Sequence, residues 1–291
     1  MHSHLLHNGE IHGTSEKLVS PGQVGFMNGW GVFTTIRVYD GVLFAHQRHY
    51  DRMKRDALRL HVPLDISAHE LEEMLLRLVE ANQVANATLR VAIIRNKGGL
   101  FEGPDIERAA DIVAFTADLN PWGDGVRLMY MPQGRHAASE FAGAKVTSWS
   151  QNLVWNEEAH QRGFDEVVLL NEFGQVSECT SANVFIVRGN QVWTPPVATS
   201  GCLAGVTRAV LLEEIRVEGL QVEEHDFLPV DLETADQVFI TSTTRDLLPV
   251  LEMDGRVLNQ AGEKFGRLKN GFLAYQMKYA ALHRKVETVV T

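Results

Sequence analysis

Short hairpin signals that alternate with helical segments constrain the fold of this chain more than any other feature. Asn8-Gly9 follows an apolar stretch near the start, and Asp40-Gly41 and Gly189-Asn190 each separate two apolar stretches. Such pairs accept the left-handed backbone that a two-residue hairpin turn requires. Antiparallel hairpins interspersed with helices favour an α+β fold over a doubly wound parallel sheet.

The helices and strands between these turns follow from the spacing of apolar residues. Tyr50 and Met53 recur at helical spacing and predict a helix over about residues 47–60. Ser67 and Glu70 form a capping-box pair that predicts the start of a second helix. Further helices are predicted over residues 149–162, over 207–218 with Gly219 as the stop, and from about 263, and strands over 88–95, 111–116, 126–131, 167–170 and 237–241.

The length of the chain allows two domains. It has 291 residues, and a hydrophobic content of 45% is enough for a full core. Residues 119–125 have the turn-rich composition of a linker. We therefore predict a small N-terminal α+β domain over residues 1–118 and a larger C-terminal domain over 126–291.

The composition excludes several classes of function. The formal net charge of −10 argues against a nucleic-acid partner, because phosphate backbones bind basic surfaces. No apolar run reaches the roughly 18 residues of a membrane helix, and the start lacks the apolar core of a signal peptide, so we expect a soluble cytoplasmic protein with no membrane partner. Cys179 and Cys202 give neither a disulfide framework nor a metal-ligand spacing, and no metal is expected.

Two residues in the stretch 140–183 have the chemistry of a cofactor site. Lys145 follows a run of small residues, and Glu178 precedes a predicted strand. Pyridoxal phosphate chemistry needs a lysine that forms an imine and a carboxylate that keeps the pyridine nitrogen protonated. Most lysines are solvated surface charges, however, and residue types alone leave that interpretation open.

Two further stretches have the composition of anion-binding sites. Glycines 201 and 205 precede a predicted helix, so the N–H groups of Val206 and Thr207 are candidates to face a phosphate. A plain helix start with Thr207 as its cap explains the same residues. Four hydroxyl-bearing residues, 241–244, follow an apolar strand, although polar turns at strand ends are common. No phosphate-loop motif and no dinucleotide motif is present.

Motifs spread over nearly the whole chain make it similar to the class IV aminotransferases. The motifs are Gly31-Val32-Phe33-Thr34-Thr35-Ile36-Arg37, His49-Tyr50-Asp51-Arg52-Met53, Ala142-Gly143-Ala144-Lys145, Gly163 to Asn171, Ser177-Glu178 through Asn183-Val184-Phe185, Thr194-Pro195-Pro196, Gly205-Val206-Thr207-Arg208 and Leu248-Pro249-Val250. The resemblance implies the two-domain fold-type IV architecture of D-amino acid aminotransferase, with pyridoxal 5'-phosphate in the cleft between the domains.

The resemblance also implies roles for individual residues. Lys145 is expected to form the imine and to carry the proton, and Glu178 is expected to pair with the pyridine nitrogen. The other expected cofactor-binding residues are Arg52, Asn183, Val206, Thr207 and Thr243. The expected substrate-binding residues are Phe33, Thr35, Arg37, Arg90 and Thr244.

The motifs divide between two subfamilies, so two activities stay open. Branched-chain aminotransferases usually have Phe-Glu-Gly-Ile-Arg at residues 33–37 and a tyrosine at the position of Ser150; here Thr34-Thr35 is similar to aminodeoxychorismate lyase. Residues 194–196 and 205–208 are similar to the branched-chain group. We expect transamination between an amino donor, branched-chain-like or an amine, and a 2-oxo acid. The alternative is a lyase that releases pyruvate and 4-aminobenzoate.

Two further expectations concern a third activity and assembly. A thiol hydrolase that uses Cys179 or Cys202 lacks a recognisable nucleophile motif, and both residues fit small buried positions better. The family forms homodimers or larger assemblies in which loops of one subunit help to close the site of the other. Residues 98–104 are the candidate loop here. The sequence does not determine the enantiomer of the donor.

Overall fold

The computed structural model describes residues 1–258 and 262–284, which form two compact units. The first unit comprises Met1–Asn120, Lys145–Thr147 and the described residues from Ala274 onward. The second comprises Pro121–Ala144 and the described residues of Ser148–Leu273. A compact unit is not the same as an independently folding domain, so the division predicted at residues 119–125 stays a prediction.

The first unit is built on one antiparallel sheet. Its strands have the order β2-β1-β6-β5-β3-β4. The elements are β1 (His4–His7), β2 (Glu10–Gly13), α1 (Val24–Asn28), β3 (Gly31–Tyr39), β4 (Val42–Leu43), α2 (His46–Arg59), α3 (Ala68–Ala81), β5 (Ala87–Arg95) and β6 (Ala110–Ala117).

Local chemistry explains the turns and the helix start in this unit. Asn8 and Gly9 have φ angles of 50° and 90°, and Asp40 and Gly41 have φ angles of 48° and 76°. Both pairs therefore have the left-handed backbone of type I′ hairpins. The Ser67 hydroxyl accepts from the Glu70 N–H at 3.2 Å, and the Glu70 carboxylate accepts from the Ser67 N–H at 2.8 Å. The predicted hairpins and capping box are confirmed.

Strand β3 has a core face and an opposite face. Ile36 and Val38 are buried in a core that contains Met53 of α2 and Leu75 of α3. Because successive side chains of a strand point to opposite faces, the odd-numbered residues 33, 35 and 37 lie on the other face. The expected substrate-binding residues of β3 therefore share the face turned away from this core.

The second unit is built on a mixed nine-stranded sheet. The strand order is β12-β11-β10-β13-β14-β7-β8-β9, with β15 beside β14, and the pairs β11/β12, β14/β7 and β7/β8 are parallel. The elements are β7 (Val126–Met131), α4 (Ser150–Gln161), β8 (Glu166–Leu170), β9 (Val176–Cys179), β10 (Asn183–Arg188), β11 (Gln191–Thr194), α5 (Val197–Ser200), α6 (Val206–Glu213), β12 (Gln221–Glu224), α7 (Pro229–Thr234), β13 (Gln237–Ser242), β14 (Asp246–Met253), β15 (Arg256–Val257) and α8 (Lys264–His283), the last of which continues into the first unit. Across the described ranges, no helix is both long enough and apolar enough to cross a membrane.

The end of helix α6 corrects one prediction. The helix was expected to continue to residue 218, but it ends at Glu213. The N–H of Ile215 bonds to the Val210 carbonyl at 3.2 Å, and the buried Ile215 side chain joins the core. Gly219, with φ 75°, belongs to a later turn that leads the chain into β12 beside β11.

Candidate active site

The backbone of Lys145 is held from two sides in the first unit. Its carbonyl accepts from the Phe33 N–H of β3 at 3.1 Å, and the following residue, Val146, forms an isolated antiparallel bridge with Val32. Its own N–H donates to Asp56 Oδ2 of α2 at 3.1 Å. The Asp56 carboxylate has 0% exposure. The position of the Lys145 Cα is thus fixed by a strand and a helix that have their own core.

The Lys145 side chain shares an aromatic ring with a second cation. Lys145 Nζ lies 4.6 Å from the centroid of the Phe33 ring, and Arg90 Cζ lies 3.8 Å from the same centroid. Ring faces attract cations, and the attraction increases when water is excluded. Burial lowers the pKa of the Arg90 guanidinium from its ordinary value.

The four expected substrate-binding residues of the first unit lie on one face of the sheet. Thr35 of β3 is paired with Arg90 of β5, and Phe33 and Arg37 flank Thr35 at two-residue spacing. Within residues 1–258 and 262–284, Arg37 Nε is buried and has no hydrogen-bond partner. A buried guanidinium nitrogen of this kind is a donor available to a bound anion.

A hydrogen-bonded triad orients Arg52 on helix α2. Arg52 Nη2 donates to Thr34 Oγ1 at 2.7 Å, and Thr34 Oγ1 lies 2.8 Å from His49 Nδ1. Burial, followed by the charge of Arg52, lowers the pKa of the His49 imidazole well below its ordinary value. Because Arg52 already donates to the Thr34 oxygen, we assign the hydroxyl proton to the bond with a neutral His49. These roles of Thr34 and His49 are not predicted from the sequence, because they depend on contacts between β3 and α2.

In the second unit, both carboxylate oxygens of Glu178 have donors. Arg135 Nε donates to Glu178 Oε1 at 3.0 Å, and the Leu203 N–H donates to Oε2 at 3.1 Å. The Glu178 residue is only 6% exposed. Arg135 also donates to Asn152 Oδ1 at 3.3 Å, which fixes the guanidinium. Arg135 is not among the site residues predicted from the sequence, where its position between strand β7 and Lys145 is the one signal for it.

Asn183 shapes the loop that leads into helix α6. Its Nδ2 donates to the Leu203 carbonyl at 2.9 Å, so Asn183 and Glu178 hold the two sides of the same peptide segment. A Cβ atom on Gly205 would lie 1.9 Å from Asn183 Oδ1, so a side chain at this position would displace the Asn183 amide. The helix cap is Gly205, and Thr207 lies in the first turn, so the alternative with Thr207 as the cap is wrong.

The N–H groups of Val206 and Thr207 therefore belong to the first turn of an eight-residue helix. Such groups have no acceptor within a helix, and the helix dipole favours an anion in front of them. Asn183 is also paired with Thr241 in the sheet, and the half-buried residues Thr243 and Thr244 follow in the turn between β13 and β14. The five cofactor-binding residues expected in the second unit thus lie on strands β9 and β10, which follow each other in the chain, in the β13–β14 turn and at the start of helix α6.

The two cysteines are unsuited to nucleophilic catalysis. Both are completely buried. Burial raises the pKa of the Cys202 thiol to about 12 and the pKa of the Cys179 thiol well above its ordinary value. Because the thiolate is the nucleophile, a thiol hydrolase loses its physical basis.

Comparison with known proteins extends over nearly the whole chain. The family model described as amino-transferase class IV matches residues 31–253. A Methanocaldococcus jannaschii protein assigned as a branched-chain-amino-acid aminotransferase is 32% identical over 277 residues, which cover 94% of this chain and 96% of the relative. The D-alanine aminotransferase of Bacillus licheniformis is 30% identical over 87% of this chain and 89% of its own length.

The fold comparison agrees with the sequence comparison. The crystal structure of branched-chain amino acid aminotransferase from Escherichia coli superposes with a TM-score of 0.85, at 26% identity and over 95% of both chains. The two proteins therefore share their fold over almost the full length of both chains.

Proposed function

This chain belongs to the class IV aminotransferase family, and from that premise we propose that it uses pyridoxal 5'-phosphate to move an amino group from a branched-chain-like amino acid to a 2-oxo acid. The observation that carries the proposal is the clamped backbone of Lys145, whose amine lies over the Phe33 ring. A catalytic lysine must present its amine from a fixed position, and this arrangement provides one.

The residues present fit this cofactor by their chemistry. The set includes a lysine amine, a buried carboxylate held by two donors, an oriented guanidinium and the start of a helix. These groups match an aldehyde, a pyridine nitrogen and a phosphate. When bound, pyridoxal phosphate supplies the carbonyl that condenses with amines and an electron sink for the substrate's α-carbon.

Each residue then has one task. Lys145 would take the proton from the α-carbon of the amino donor and, in the second half-reaction, would deliver a proton to the former carbonyl carbon of the 2-oxo acid. Glu178, held by Arg135, would keep a proton on the pyridine nitrogen. The groups proposed for the phosphate are the Arg52 side chain, the N–H groups of Val206 and Thr207, and Thr243, with Asn183 shaping the adjoining loop.

The substrate is proposed to bind at the β3 face of the first unit. Arg37 and Arg90 are the candidates for its carboxylate. Among the described residues, the buried Arg37 Nε has no hydrogen-bond partner, and Arg90 has a largely buried guanidinium. Phe33 and Thr35 lie on the same face of the sheet as these two arginines, and Thr244 completes the proposed set. The names of the relatives support a branched-chain donor and also a D-amino acid, so both enantiomers belong in the test.

A homodimer and a cytoplasmic location are part of the proposal. Leu100 and Phe101 are 79% and 94% exposed in the loop 98–104, and large apolar side chains of this kind commonly contact a partner. The expected occupant is a second copy of this chain. The cytoplasmic location is the expectation drawn from the sequence, kept here as a proposal.

The experiment that tests the function is a half-reaction without an acceptor. We expect the yellow, cofactor-loaded protein to lose its visible absorbance band with at least one L- or D-amino acid and to regain it when 2-oxoglutarate or pyruvate is added. Failure with every amino donor, together with release of pyruvate from aminodeoxychorismate without any acceptor, would replace the aminotransferase with the lyase.

A further inference from the structure

A buried ionic network lies behind the turn that contains Thr243 and Thr244. Arg245, the residue after them, turns its side chain inward and donates to Glu166 Oε2 at 3.1 Å. Both side chains are almost completely buried, at 5% and 0% exposure. Removing two charges from water is costly, so a pair such as this one persists where its hydrogen bonds are well satisfied.

The network is completed by hydroxyl groups of the loop between β9 and β10. Thr180 Oγ1 and Ser181 Oγ both donate to the Glu166 carboxylate. Arg245 Nη1 also bonds to Ser181 Oγ at 2.9 Å and to the Ser181 carbonyl at 3.3 Å. The pair therefore connects the β13–β14 turn to the loop that separates Glu178 from Asn183.

Trp122 holds the same turn from another side. Its indole Nε1–H donates to the Thr244 carbonyl at 2.9 Å, and the Arg245 guanidinium lies 3.9 Å from its ring centroid. The turn also has internal bonds, since the Arg245 N–H donates to the Ser242 hydroxyl at 3.2 Å. A three-residue connection between strands is thus fixed by its backbone, by a stacked cation and by an indole.

We propose that Arg245 and Trp122 are positioning residues that hold the 242–245 turn in the geometry that binds the cofactor phosphate. The inference rests on the proposed function, in which Thr243 contacts that phosphate. Glu166 balances the charge of Arg245, so the two residues act through the shape of the turn more than through an unpaired positive charge. Loss of a neutral hydrogen bond from Trp122 is therefore expected to weaken phosphate binding.

The test uses the full chain freed of cofactor and titrated with two probes, pyridoxal 5'-phosphate and pyridoxal. These differ only in the phosphate, so their ratio of dissociation constants isolates the contribution of the phosphate site. We expect Trp122→Phe, which keeps a ring under Arg245, to raise the Kd of pyridoxal phosphate about 3- to 10-fold, the effect of one lost hydrogen bond. The Kd of pyridoxal should not change.

Trp193→Phe is the matched control. It removes an indole bond of 3.2 Å to Glu223, which joins β11 and β12 and has no link to the turn. We expect neither dissociation constant to change in this variant. A loss of both probes by the same factor in Trp122→Phe would show a general structural role and overturn the proposal.

A second variant guards against simple unfolding. Arg245→Met alone would leave the Glu166 charge buried without its partner, whereas the double variant Glu166→Gln with Arg245→Met removes both charges at similar volume. We expect the double variant to fold and to lose affinity for pyridoxal phosphate selectively. If this double variant and Trp122→Phe both have the same ratio of the two dissociation constants as the wild type, the inference is overturned. If the wild-type protein itself binds pyridoxal phosphate and pyridoxal equally, the phosphate site and the proposed cofactor are overturned instead.

Discussion

Asp56 of helix α2 accepts the backbone N–H of Lys145 at 3.1 Å, although the two residues are 89 positions apart in the chain. A fully buried carboxylate therefore fixes the backbone of the residue that is proposed to do the chemistry. The side chain of Lys145 extends from this fixed backbone to the ring of Phe33. The first two predictions concern this arrangement.

Lys145→Ala should abolish turnover, because the amine that condenses with the cofactor and transfers the proton is gone. Borohydride treatment followed by intact mass measurement should show a cofactor covalently attached to the wild type and none attached to the variant. Lys54→Ala, at an exposed position of α2, is the matched control and should keep both attachment and activity. Full turnover by Lys145→Ala would remove the lysine from the proposed mechanism.

Asp56→Ala should reduce both stability and turnover, because the Lys145 N–H loses its buried acceptor. The loss of one such bond with a charged acceptor destabilises a protein by about 1–3 kcal/mol. Asp56→Asn keeps an acceptor oxygen and should recover most of the turnover. Chemical unfolding and kcat measured on both variants check the prediction, and equal turnover in Asp56→Ala and wild type would contradict it.

Arg135→Leu should lower kcat strongly while the KM of the amino donor changes little. The substitution removes the donor that holds Glu178 Oε1, so the carboxylate loses its fixed orientation. Arg127→Leu is the control, because Arg127 pairs with the partly exposed Asp165 at 3.3 Å elsewhere in the same unit. The proposed role of Arg135 is excluded if the two variants have the same kcat.

Arg52→Ala should weaken cofactor affinity by roughly 1.5–3 kcal/mol, which is about 10- to 150-fold in Kd, because a charge-assisted bond is lost. Titration of the cofactor-free protein with pyridoxal phosphate measures this directly. Arg59→Ala, at the end of the same helix, should bind like wild type. Equal affinity in all three proteins would return Arg52 to a purely structural role.

The buried His49 predicts a pH dependence of stability. Its pKa in the folded state is depressed, so below the ordinary value of 6.5 the unfolded chain takes up a proton that the folded chain does not. The stability due to the neutral form is therefore fully present above that pH and decreases below it, by up to about 1.4 kcal/mol per pH unit for one group. Unfolding measured between pH 5 and pH 8 should show a shallower decrease for His49→Gln. The stability of the His49→Gln variant should still decrease somewhat towards low pH, because the pKa of the buried His46 is also lowered.

The parts of the fold that local chemistry decides could be predicted. Asn8-Gly9 and the pair Ser67 and Glu70 specify their own turn and helix start, because the interactions involved span only a few residues. The end of α6 could not be predicted, since the pairing of β12 with β11 and the burial of Ile215 decide it. The residues just after Glu213 could extend the helix by their local preferences, and contacts with distant residues decide that they do not.

The candidate site shows the same division. Lys145 and Glu178 can be proposed from the sequence because their residue types and surrounding motifs match a known chemistry. Arg135 and Thr34 were not found, because their roles depend on partners 43 and 18 positions away. A residue that positions another side chain can be identified only from the tertiary structure, because its role depends on which residues it contacts.

The two backbone hydrogen bonds of Lys145 also limit how this residue can move. With its backbone bonded to Asp56 on one side and to Phe33 on the other, the residue has a fixed pivot, and only the side-chain torsions are left to swing the amine. Rotations of that kind take picoseconds to nanoseconds, whereas loop movements take far longer. Movement of the amine between neighbouring atoms of a bound substrate would therefore need no rearrangement of the backbone that carries Lys145.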